Sequence, residues 1–175
     1  RFYNNFDKSR SIVFRLLSGI GLAYGNTGYM PFEKSFFAGG SNDIRAWRSR
    51  ALGPGATSSS DFLEQLGELK LGSNLEYRFD ILRKLKGAVF VDAGNVWLLH
   101  PQNGLSDGLF KFDSFAKEIA VGSGLGLRFD FTFFILRLDG GVQLKDPAEP
   151  VDKRWVFRVK NIKDVAFNFG IGYPF

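Results

Sequence analysis

Residues 165–175 alternate more cleanly than any other stretch of the chain. Val165, Phe167, Phe169, Ile171, Tyr173 and Phe175 fall on one side of an extended strand, and Ala166, Asn168, Gly170, Gly172 and Pro174 on the other. Successive side chains of a strand point to opposite faces, so one face is large and apolar and the other small or polar. A soluble barrel or sandwich buries the large face. A membrane barrel turns it outward to lipid and lines its lumen with the polar set.

Two further segments carry charge on one face only. Asn74, Glu76, Arg78 and Asp80 share a face opposite Leu75, Tyr77 and Phe79, and Arg137, Asp139 and Gly141 alternate with Leu136, Leu138 and Gly140. Opposite charges two residues apart are costly in a dry core. In a hydrated lumen they pair with each other and with water, which makes Arg137 and Asp139 a candidate lumen charge pair. Patterning alone leaves a second solution open, a sandwich with its charged face in solvent.

Six segments read as strands: about 11–24, 67–80, 85–98, 119–130, 132–144 and 164–175. Several exceed the ~5–6 residues usual in globular proteins. The connections alternate in length. Residues 81–84 and the turn at Asp130–Phe131–Thr132 are short, whereas 25–66, 99–118 and 145–163 are long. Outer-membrane barrels have short periplasmic turns and long extracellular loops; a structureless loop of this length in a compact soluble domain would count against the strand assignment. The long loops carry Gly, Pro, Ser, Asn and Asp, with room for a short helical turn within 111–119.

Composition agrees with strands. The 175 residues include 20 Phe and 21 Gly, but one Met, one His and no Cys, a make-up that favours sheet over helix. No run of 18 apolar residues marks a transmembrane helix. That does not exclude a membrane, because a barrel strand crosses with about 9–11 residues, of which every second faces lipid. The mean hydropathy of −0.07 fits either solvent. Without Cys there is neither a disulfide framework nor a thiolate metal site. The net charge of +5 is scattered, with no basic run beyond Arg83–Lys84 plus Lys86. A nucleic-acid footprint would be clustered, so the expected partner of this charge is anionic outer-membrane lipid or lipopolysaccharide, and no nucleic acid. No signal peptide is visible, and the chain is expected to be a piece of a longer secreted protein.

Catalysis finds no constellation, so no catalytic residue, cofactor or metal is expected. His100, the single histidine, precedes Pro101 in a loop without a nucleophile context. Asp107 and Asp113 lack calcium-loop spacing. Gly122–Ser123–Gly124–Leu125–Gly126 lies in a strand pattern and opens no helix, so a phosphate loop fails on context; small residues there instead let a strand bend or a loop pack close. Phe131, Phe133, Phe134, Trp97 and Trp155 are candidates for interfacial aromatics or for ordinary packing.

Four stretches resemble the BamA/TamA (bacterial surface antigen) family of outer-membrane assembly barrels. Residues 36–47, Phe-Phe-Ala-Gly-Gly-Ser-Asn-Asp-Ile-Arg-Ala-Trp, are similar to the family's long-loop motif, a Gly-Gly pair followed by aliphatic-Arg-Gly-aromatic; they supply Gly39, Gly40, Ile44, Arg45 and Trp47. Ala46 departs from the family's Gly, and Ala resists positive φ. Residues 74–79 (Asn-Leu-Glu-Tyr-Arg-Phe) and 90–97 (Phe-Val-Asp-Ala-Gly-Asn-Val-Trp) resemble two consecutive strands whose lumen acids pair with the loop arginine, which maps those acids onto Glu76 and Asp92. Residues 137–141 (Arg-Leu-Asp-Gly-Gly) resemble the family's Arg-Leu-Asp strand. Residues 52–55 (Leu-Gly-Pro-Gly) look most like the TamA-like branch written TamL. Asn168, Gly170, Tyr173 and Phe175 are similar to the C-terminal strand signal of outer-membrane proteins.

The resemblance implies an all-β fold, an antiparallel transmembrane β-barrel of about sixteen strands. Residues 1–175 would supply the C-terminal six or so of one barrel domain, with the periplasmic N-terminal domains absent and too few strands to close alone. It implies no enzyme. It implies a barrel that inserts or translocates unfolded outer-membrane proteins, with periplasmic or inner-membrane assembly partners. In it the Arg45 loop is latched in the lumen to Glu76 and Asp92, and a weak seam lies at the last strand. A two-partner secretion translocator and a passive porin-like barrel are the alternatives.

Overall fold

The computed structural model describes residues 1–7, 9–24, 30–57, 65–101, 105–131, 133–159 and 161–175. Parts of all three long loops (residues 25–29, 58–64, 102–104 and 160) and Thr132, the first residue of one expected strand, lie outside them. The described residues form one antiparallel sheet of seven strands in chain order: β1 Phe2–Asn5, β2 Arg10–Ile20, β3 Leu69–Leu82, β4 Leu85–Trp97, β5 Ala120–Phe131, β6 Phe134–Lys145 and β7 Ala166–Ile171. The all-β, antiparallel expectation holds, with one strand more than the six read from the sequence. At four residues, β1 is too short to show a period, and its pairing with β2 rather than its own pattern makes it a strand. No pairing joins β1 to β7 among the described residues, so the sheet is an open piece of barrel wall.

Adjacent strands register through their whole central length, for example Glu76 beside Phe90 and Phe90 beside Gly124. The turns between β1 and β2, β3 and β4, and β5 and β6 are short and lie at one end; the long connections lie at the other. Outer-membrane barrels place the short turns at the periplasmic side. Within 99–118 the chain makes short 3-10 turns, Ser106–Gly108 and Phe115–Lys117.

The direction of the side chains separates the two solutions left open by patterning. Leu16, Leu125, Phe167 and Phe169 are exposed by 62–71%, whereas Glu76, Asp92 and Arg128 are at 0%. A soluble domain would not hold charge inside and Phe outside; a membrane barrel does so along every strand. The apolar cluster of the interior is not built by the sheet's two faces. It is built by the β2–β3 loop folded into the concave side, where Ala38, Ile44, Ala46, Trp47 and Leu52 pack on Val96 and Ala120.

Of its two candidate roles Trp97 takes ordinary packing, and the expectation for the last outward row is corrected. Trp97 is fully buried and donates its Nε1–H to Glu118 at 2.7 Å, so it packs a loop and anchors no interface; Phe131, Phe133 and Trp155 are exposed. The outward row of residues 165–175 also ends early. β7 stops at Ile171, and Gly172 has φ +84°. The reversed backbone breaks the period of two. Tyr173 then lies 4.2 Å from the Arg78 guanidinium, measured to its ring centre, and Phe175 is buried on the concave side, 4.9 Å from Arg15.

Candidate functional site: the arginine loop on the inner wall

The loop carrying Arg45 is closed on itself before it meets the sheet. The Gly40 N–H donates to the Trp47 carbonyl at 2.9 Å and the Gly39 N–H to Asp43 Oδ2 at 3.0 Å. Asp43 Oδ2 also accepts from Lys70 Nζ of β3 at 2.8 Å. Gly39 needs its residue type: its φ is +97°, and a Cβ there would come within 2.2 Å of the Arg48 carbonyl oxygen. Ala46 is not among the residues with positive φ, so replacing the family's Gly costs no backbone strain. Small residues on the wall let the loop approach. A Cβ on Gly122 would meet the Ala46 Cβ at 2.4 Å, and one on Gly141 the Arg45 carbonyl oxygen at 2.8 Å. Within the run 122–126 only Gly122 does this; Gly124 leaves room for the Phe90 ring, and Gly126 for Arg128 and Asp139.

At the tip, Arg45 is fully buried. Its Nε and Nη2 donate to Asp92 Oδ2 and Oδ1 at 2.8 and 2.9 Å, and its backbone N–H reaches Oδ2 at 3.0 Å. Its Nη1 donates to Glu76 Oε2. The guanidinium lies 3.5 Å over the Phe90 ring centre. A planar fork can serve two carboxylates and an aromatic face at once, which an ammonium cannot.

The cluster extends along the lumen face. Arg128 Nη2 donates to Glu76 Oε2 at 3.1 Å and its Nη1 to Asp139 Oδ1 at 2.6 Å. Arg78 Nε donates to Glu76 Oε1 at 2.7 Å. Arg137 Nε lies 3.1 Å from Asp139 Oδ2, and its Nη2 donates to the Ser41 carbonyl and Asn42 Oδ1 of the loop at 3.0 and 2.9 Å. Asn74 bridges, donating to Asp92 Oδ1 at 2.7 Å and to the Asp43 carbonyl at 2.8 Å, and Arg15 Nε donates to Asn74 Oδ1 at 2.8 Å. Among the described residues, Arg15, Arg45, Arg78, Arg128 and Arg137 lie with the acids Glu76, Asp92 and Asp139, and with Asp43, which Lys70 shares, so this cluster carries surplus positive charge.

Arg45, Glu76 and Asp92 thus meet at one point, with Arg137 and Asp139 beside them; Ile44 and Trp47 flank Arg45 in the apolar cluster. Of the C-terminal residues, Asn168 donates its Nδ2–H to the Arg45 carbonyl at 2.8 Å, and Gly170 lies beneath Arg137, whose Nη2 is 2.6 Å from where a Cβ would stand. Arg128, Asn74 and Phe90 are members that sequence reasoning missed. The signal for Arg128 was available: it shares strand parity with Gly122 and Gly126, on the face left small for the loop. No cluster of metal-ligating side chains occurs among the described residues.

Comparison with known proteins agrees with this architecture. The Omp85 superfamily domain matches residues 1–175. The outer membrane protein assembly factor BamA of Neisseria meningitidis serogroup B (strain ATCC BAA-335 / MC58) is 29% identical over 100 residues, which cover 53% of this chain and 12% of that protein. This chain therefore corresponds to a small part of that relative's length. With charged residues inside, apolar residues outside and the whole length matched, the chain belongs to the Omp85 superfamily and is a piece of a bacterial outer-membrane barrel.

Proposed function

We propose that this chain is the part of an assembly or translocation barrel in which the arginine loop latches the lumen and the last strand forms a weak seam. The observation that carries the reading is the buried fork of Arg45 on Asp92 and Glu76. One loop residue bonds two neighbouring strands, and the same loop reaches β6 through Arg137 and β7 through Asn168. Such a latch fixes the curvature of the wall without covalent chemistry. Support for the seam comes from β7, only six residues long and followed by Gly172 and Pro174; a short, glycine-bearing strand with a proline beyond it pairs weakly. A free strand edge offers unpaired backbone groups to an incoming strand. The partners so recognised are unfolded outer-membrane proteins that present a strand. The relative's name, an outer membrane protein assembly factor, points the same way.

The test is replacement of the chromosomal copy of the complete protein by Arg45→Ala. Levels of unrelated outer-membrane barrels are expected to fall several-fold while the variant itself still reaches the membrane. Loss of a single secreted substrate, with other barrels unaffected, would identify a dedicated translocator instead. No change in any substrate would leave a passive barrel.

A further inference from the structure

The outer wall is not uniformly studded. Across β5, β6 and β7 one row of outward-facing positions reads Leu125, Gly140, Phe167, with each pair in register. Leu125 and Phe167 stand out, 67% and 71% exposed, and between them Gly140 contributes no side chain. The result is a groove of about 840 Å³ running over Gly140, past Leu127 and Leu138 toward Phe169. Toward the long-loop end its lining continues to Val142 of β6 and to Val159 and Val165 of the β6–β7 connection. Among the described residues its lining is almost wholly apolar, and Asp139, which points inward to Arg128, is the one charged residue in it.

We propose that this groove binds one acyl chain of an outer-leaflet membrane lipid. The occupant follows from the position. The groove is continuous with the lipid-facing wall, and its lining reaches Val159 and Val165 of the β6–β7 loop, at the end that outer-membrane barrels turn to the outside. Hydrocarbon gains nothing from water exclusion here, because lipid tails are as apolar as leucine. What selects one chain is shape: a groove floored by Gly140 between Leu125 and Phe167 gives an acyl tail contacts on more than one side, which a flat wall does not, and dispersion grows with each contact. Gly140 is the determinant. Its φ is not in the left-handed region, and a Cβ there would touch the Phe167 ring at 3.8 Å and press on Val165 Cγ1 at 3.3 Å, so a side chain enters the groove once Val165 gives way by a few tenths of an ångström.

The experiment uses the complete protein in nanodiscs containing phosphatidylcholine spin-labelled on the acyl chain, read by electron spin resonance. Gly140→Phe is expected to lose one motionally restricted lipid per barrel relative to the unsubstituted protein. Val89→Phe, also outward-facing, is expected to lose none. If Gly140→Phe does not fold, the pair Leu125→Ala and Phe167→Ala, which remove the walls, must lower the restricted count. An unchanged count in the folded variants would overturn the proposal. So would a loss seen only when a substrate strand is supplied, which would make the groove a protein-docking surface. Barrel assembly in cells does not enter this readout, so failure here is separable from failure of the latch.

Discussion

The centre of the wall and its last strand are held in opposite ways. Strands β3 and β4, fourteen and thirteen residues long, pair at thirteen positions and share a buried ionic cluster clamped by Arg45. Strand β7 pairs with β6 over six residues and touches the same loop through one neutral hydrogen bond, from Asn168. The difference is one of interaction type as much as length. Buried charges hold strongly only while every partner is present, because a stranded ion costs more than a lost contact. A single neutral hydrogen bond contributes about 1 kcal/mol and fails gently. The centre is therefore stiff and brittle, and the edge is soft.

Breaking the centre gives the largest expected effect. Arg45→Ala strands Asp92 and weakens Glu76, and should destabilise the complete barrel by about 3–5 kcal/mol, read as a lower urea midpoint in lipid vesicles. Arg45→Lys should recover only part of this, since an ammonium cannot fork. Glu76→Gln should cost about 1.5–3 kcal/mol by weakening charged bonds to Arg45, Arg78 and Arg128; equal stability in the same titration would show that the surplus arginines repel enough to offset it. Gly172→Ala should cost about 1–2 kcal/mol by forcing an L-residue into φ +84°. Because nothing lies within 4 Å of a Cβ there, the loss should come with release of Phe175, followed by cysteine accessibility at position 175. Asn168→Ala should cost about 1 kcal/mol and speed amide exchange in β7 while leaving β3 and β4 unchanged.

The smallest effect is at the β1–β2 turn. The Ser9 hydroxyl and N–H donate to Asp7, and with Arg10 they hold its carboxyl below the ordinary 3.8. A depressed carboxyl stabilises above its unfolded value and loses that contribution as pH falls through the folded one. The Ser9 amide should thus become less protected only below pH 3.8, and Asp7→Asn should remove the dependence.

Much of the fold could be read because alternation reports what faces lipid. Leu75, Leu125, Leu138 and Phe167 each stand in a period of two, and each is exposed. The same rule failed at both ends for local reasons. β1 spans only two periods, and Gly172 inverts the chain just where Tyr173 and Phe175 were expected to continue the row. The interior was legible only in part. Parity places Glu76, Arg137 and Asp139 inward, but nothing in the spacing says which loop enters the barrel. Arg45 could be matched to Glu76 and Asp92 only through resemblance to a family. Phe90 shares the parity of Asp92 and so faces inward, but its role under a guanidinium depends on a loop more than forty residues away, which parity does not reveal.

Hydrogen–deuterium exchange of the complete barrel in a bilayer, comparing the unsubstituted protein with Arg45→Ala, measures most directly whether this one side chain holds the loop inside. Residues 36–52 should lose their protection, together with the lumen-facing centres of β3 and β4, while the outer halves of β5 and β6 keep theirs. Full protection of 36–52 in the variant would contradict the latch, because the apolar packing of Ile44, Trp47 and Leu52 would then suffice to seat the loop without its ion.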